Sequence, residues 1–140
     1  MNIESHFSNF ISWLGNTELF ERPLRQIPGK WQLYEYYIEP ENRLIHFKED
    51  QLINENLYWE IEFAEEEQLF QKTNILLPFS NETGELKWKR SGIYITFIDS
   101  GSSWENIQFR YAVAKSELRL LKKDTSGKIE FFGFFKRINR

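Results

Sequence analysis

The chain has 140 residues, enough for one domain with a core of its own, and its 41% hydrophobic and 28% charged content excludes both a disordered tract and a membrane-embedded chain. With no cysteine, disulfides and thiolate chemistry are ruled out. The net charge of −3 is unevenly spread: residues 1–84 carry 6 Lys/Arg against 15 Asp/Glu, net −9, and residues 85–140 carry 12 against 6, net +6.

The first element reads as a helix. Ile3, Phe7, Phe10, Ile11 and Leu14 fall on one stripe of a 3.6-residue period, and Gly15-Asn16 is a stop. Pro23 and Pro28 make residues 24–28 a connector. Residues 1–28 are therefore expected to be a helix and connector that pack on a domain formed by residues 29–140.

From Gly29 the period becomes two. Strands are expected at Lys30–Ile38, Arg43–Lys48, Leu57–Phe63 and Gln68–Thr73, with a polar loop over Glu49–Glu55 and a turn at Glu65-Glu66-Glu67. Residues 76–84 form the longest irregular stretch. Further strands follow at Leu86–Arg90, Ile93–Ile98, Ile107–Val113, Leu118–Lys123 and Ile129–Arg137, with Asp124-Thr125-Ser126-Gly127 as a hairpin turn. Eight to nine strands in succession, joined by short turns, suit an antiparallel up-and-down β-barrel, since closure removes exposed edges. No helix alternates with the strands, so a parallel α/β sheet is not expected.

Gly29-Lys30-Trp31-Gln32-Leu33, Phe47-Lys48-Glu49-Asp50, Leu86-Lys87-Trp88-Lys89, Tyr111-Ala112-Val113, Leu118-Arg119-Leu120 and Phe135-Lys136-Arg137 come in an order that resembles the bacterial lipocalin-like domains of the calycin superfamily. The resemblance spans residues 29–137 and implies an all-β barrel that binds a ligand. It also implies that a basic side chain on the last strand covers the Trp of the first. Arg137 is that residue for Trp31, because Lys136 points to the other face of a regular pleat.

The inward phase of the strands collects Trp59, Ile61, Phe63, Trp88, Ile95, Phe97, Phe109, Tyr111 and Phe131. An eight-stranded barrel is wide enough either to be filled by such side chains or to hold one small ligand. Trp59, Trp88, Arg90, Phe97, Phe109 and Tyr111 are the candidate ligand-binding residues. Arg90 is in phase with Leu86 and Trp88, so it either meets a ligand carboxylate or buried Glu, or reaches water where the strand ends.

His6 and His46 have no cysteine or carboxylate at ligand spacing, so neither a metal site nor a cofactor is expected. No nucleophile–base pair or phosphate loop is recognisable, and a pI near 5.5 argues against nucleic acid. The early acids and late bases are expected to pair across the sheet once the barrel closes. No leader or apolar run of about 18 residues is visible, so a cytoplasmic protein without a membrane span is expected. The function that follows is a non-enzymatic module holding a small apolar or amphipathic ligand. Its rival is a filled barrel that engages a protein partner or a second copy.

Overall fold

The computed structural model describes residues 26–76, 86–99, 106–114 and 116–138. The N-terminal stripe of Ile3, Phe7, Phe10, Ile11 and Leu14 lies outside these. Nine strands make one antiparallel sheet among the described residues: β1 (Gly29–Ile38), β2 (Ile45–Phe47), β3 (Trp59–Phe63), β4 (Gln68–Thr73), β5 (Leu86–Ser91), β6 (Tyr94–Asp99), β7 (Ile107–Val113), β8 (Glu117–Lys123) and β9 (Ile129–Arg137). From β3 to β9 each strand pairs with the next, and β9 returns to β1. The result is a closed lipocalin-like barrel of eight strands, with β2 attached outside it to the C-terminal half of β1.

β1 is long because it serves three neighbours. Its first residues, Gly29 to Gln32, pair with β3, its last three with β2, and most of its length with β9. A bulge between Leu33 and Glu35 shifts its phase. Trp31 and Leu33 point inward before the bulge, and Tyr36 points inward after it. Tyr37 therefore falls on the outer face.

The fork between β2 and β3 holds a short helix, α1 (Glu49–Asn54), where the sequence suggests only a polar loop. Leu52 is its one buried residue, and Glu49 and Asp50 stand in its first turn, where acids suit the helix dipole. One buried side chain in six residues leaves no periodic stripe to read.

Two apolar clusters result. The inner one runs from Trp31 and Leu33 through Ile61, Phe63, Phe97 and Phe109 to Phe131 and Phe135. The second lies on the outer face of β1, β7, β8 and β9 and comprises Tyr37, Ala112, Leu121, Ile129, Phe132 and Phe134, with Tyr34 and Leu44 against it. Consecutive aromatics in β9 thus feed opposite sides of one sheet. Gly133 between them is there for space: a Cβ would lie 2.2 Å from the Phe131 ring and 3.0 Å from Leu33.

Candidate functional site

The two ends of the barrel are built differently. At the first, Trp31 and Arg137 are ladder partners, and the guanidinium carbon lies 4.2 Å from the centre of the indole. Arg137 also donates to the carbonyl oxygens of Pro28, at 2.9 Å, and of Gln26. Trp31 Nε1 donates to Ile27 O at 2.9 Å. Gly29 makes room for this, since it has φ +129° and a Cβ there would be 2.6 Å from Arg137 Nη1. Burial lowers the Arg137 pKa, as a desolvated cation requires.

Farther round the same end, Trp88 Nε1 donates to Ala64 O at 3.2 Å. Arg90 Nη1 donates to Gly92 O at 3.0 Å and to the Tyr111 hydroxyl at 3.3 Å, and that hydroxyl lies 3.4 Å from Gly92 O. Arg90 is half-buried, and its Nε has no acceptor among the described residues. Of the six candidate ligand-binding residues, the structure therefore gathers Trp88, Arg90 and Tyr111 at this end, each donating to a main-chain carbonyl oxygen.

Trp59, Phe97 and Phe109 sit along the axis. Ring centres follow one another at short steps: Trp88 to Phe63 at 5.1 Å, Phe63 to Phe97 at 6.0 Å, Phe97 to Phe109 at 5.0 Å, Phe109 to Phe131 at 6.3 Å and Phe131 to Trp59 at 5.1 Å. Most of these meet edge to face, the arrangement that ring quadrupoles favour. Phe63 on β3 touches Phe97 on β6, two strands that are not ladder neighbours, so the rings meet across the interior.

The opposite end has a softer boundary. Trp59 Nε1 donates to Gln71 Oε1 at 2.8 Å, a side-chain amide rather than a main-chain carbonyl. By register Ile38, Phe47, Leu57 and Ile107 belong to this end, and they pack on the core while only partly buried. Phe47 on the outlying β2 stacks on Tyr36, with ring centres 4.5 Å apart. Burial beneath this stack, with the Glu55 carboxylate adding to it, pushes the Tyr36 phenol up to about 12.

Described residues also line depressions outside the barrel. A half-open cleft of about 480 Å³ crosses β1, β3, β4 and β5. A second, of about 380 Å³, lies between α1 and β1, with Ile53 and Tyr58 exposed beside it. The Lys136–Glu49 pair, at 3.0 Å, stands at its rim. On the outer face His46 Nε2 lies 2.6 Å from Glu35 Oε2 and stacks on Tyr37.

Among the described residues, the early acids and late bases meet in at least one ion pair. Lys136–Glu49 joins the two halves, whereas Arg119–Glu117, Lys122–Glu130 and His46–Glu35 each stay within one. Adjacent strands in a meander are close in sequence, which brings charges of one half beside each other. Among the described residues no cluster of three or more His, Asp or Glu could hold a metal ion, and no helix is long and apolar enough to cross a membrane.

No protein-family model and no curated protein matches the chain. Among solved structures, the chain is similar to the crystal structure of a lipocalin-like protein from Bacteroides uniformis ATCC 8492. The identity is 14% and the TM-score 0.40, over 81% of this chain and 99% of that one.

Proposed function

We propose that the protein is a non-enzymatic binding module that holds a small apolar or amphipathic ligand at the end of the barrel bounded by Trp59. The observation that carries this reading is the contrast in how the ends are finished. One is tied off by Trp31, Trp88, Arg90, Tyr111 and Arg137, whose polar atoms donate to carbonyl oxygens. The other has the Trp59–Gln71 pair, with Ile38, Phe47, Leu57 and Ile107 placed at the same end by register and only partly buried. An apolar rim with one amide inside it supplies contact area together with one orienting group, as small-molecule sites do.

A filled barrel that engages a protein is the second reading, and the ring contacts across the interior favour it. Titration with 1-anilinonaphthalene-8-sulfonate, followed by tryptophan emission, separates the two. Saturable binding that is weakened in Leu57→Asp and unchanged in Arg137→Ala supports a ligand site at the Trp59 end. The absence of saturable binding to the folded protein would overturn it in favour of the filled barrel.

A further inference from the structure

The outer face of β5, β6 and β7 carries cations and, among the described residues, no acid. Alternation across the pleat puts Lys89 of β5, Tyr94 and Thr96 of β6, and Gln108 and Arg110 of β7 on this face. Trp88, Ile95, Phe97 and Phe109 take the inside. Tyr94 is the ladder partner of Arg110, and Thr96 that of both Lys89 and Gln108. Arg110 thus stands beside Tyr94 and diagonal to Thr96, with Lys89 one strand farther along the row of Thr96. Long side chains at such positions reach one another across a sheet.

Arg110 differs from the other guanidinium groups of the late strands. Arg119 donates to Glu117, and Arg137 to two carbonyl oxygens. Arg110 has Tyr94 on one side and Leu121 on the other, so no acid is opposite it on either ladder. Its Nε is buried without an acceptor among the described residues, and no ion pair there includes it. A guanidinium drawn partly out of water without an acceptor is destabilising, and an anion seated on it offsets that cost. Lys89 is exposed, and Tyr94 is 40% exposed.

We infer that this outer face is a binding site for a small phosphomonoester. The planar fork of Arg110 takes two oxygens of the phosphate, the Lys89 ammonium supplies the second positive charge, and the Tyr94 ring lies against the organic part. A phosphomonoester carries close to two negative charges at neutral pH, which two cations match better than they match a carboxylate. This goes beyond the reading above, which concerns the Trp59 end. A lipid phosphate presents the same anion, but the large apolar side chain exposed on this face is Tyr94 alone among the described residues. One ring suits a soluble ester and is too little to enter a bilayer.

The test is a ¹H–¹⁵N spectrum of the full chain, titrated with phenyl phosphate at constant ionic strength. Inorganic phosphate, phenol and phosphatidic acid vesicles are the comparators. Saturable shifts are expected at Lys89, Tyr94, Thr96 and Arg110. Arg110→Gln should weaken phenyl phosphate roughly tenfold, and Arg110→Lys should recover only part of that, since an ammonium lacks the fork. Lys89→Gln, at an exposed position, should weaken it about threefold without disturbing the fold. Tyr94→Ala should weaken phenyl phosphate and leave inorganic phosphate unchanged, which separates the ring contact from the charge. Phenyl phosphate binding that is unchanged in both Arg110→Gln and Lys89→Gln, or matched by phenol, would overturn the site. Shifts confined to Leu57 and the Trp59 indole would overturn it and leave the Trp59-end reading standing. A response to the vesicles with none to phenyl phosphate would overturn the soluble ligand.

Discussion

The end of the barrel around Trp31 and the end around Trp59 use the same kind of residue for different purposes. Trp31 is fully buried and bonded to Ile27 O, and a guanidinium on its face is itself held by two further carbonyls. Trp59 is equally buried against Phe131 and Phe135, yet its indole N–H goes to a side-chain amide, and its end of the barrel carries half-covered aliphatic and aromatic groups. The acceptors at the Trp31 end are successive main-chain oxygens just before β1, held together by Trp31 and Arg137. A glutamine amide can turn, and a rim held by the three-residue β2 can give way at low cost. Stability is thus expected to concentrate at the Trp31 end, and adaptability at the Trp59 end.

Substitutions can break that contrast. The largest loss is expected from Trp31→Ala, about 3–5 kcal/mol by urea unfolding, since it empties a fully buried site and removes the face on which Arg137 rests. Gly133→Ala should cost about 1–3 kcal/mol, because the Phe131 ring or the β9 backbone must move to admit a methyl. Arg137→Ala should cost about 1–2 kcal/mol, kept low by the partial exposure of the guanidinium, and should leave binding at the far end unchanged. At the Trp59 end, Phe47→Ala is expected to cost only about 1 kcal/mol while altering ligand affinity, as its ring is half-buried on a strand outside the barrel.

The same variant sharpens the contrast through pH. Burial raises the Tyr36 phenol from its ordinary value to about 12 in the fold. For a group raised on folding, the stabilising contribution is fully present below the unfolded value, about 10, and is lost as pH climbs from there toward 12. Removing the Phe47 ring should bring the phenol down. Phenolate absorbance would then develop at lower pH in the variant than in the wild type. An unchanged titration would mean that Phe47 does not shield Tyr36.

Much of this barrel was legible in the sequence because strand period and turn residues are local signals of fixed phase, while the Trp31–Arg137 contact was implied by the resemblance. The nine expected strands are the nine observed, and the inward set from Trp59 to Phe131 lies in the inner cluster. What escaped depends on phase breaks and on space. The bulge at Leu33–Glu35 leaves no residue signature, so the outward turn of Tyr37 could not be read. Glu41, Asn42, Asn56, Glu66 and Glu67 take positive φ in turns without the help of glycine. The need for glycine at 133 exists only once Phe131 lies over it. Arg90 could be placed on the inward face, but its bonds to Gly92 O and Tyr111 depend on the turn between β5 and β6 and on β7 lying beside it.

The most direct test of a barrel tied off at one end and receptive at the other is to follow the indole N–H resonances of Trp31 and Trp59 in one sample while an apolar ligand such as decanol is added. The expected result is a saturable shift of the Trp59 resonance as its bond to Gln71 adjusts, with the Trp31 resonance fixed. Movement of Trp31 with Trp59 unchanged would contradict it.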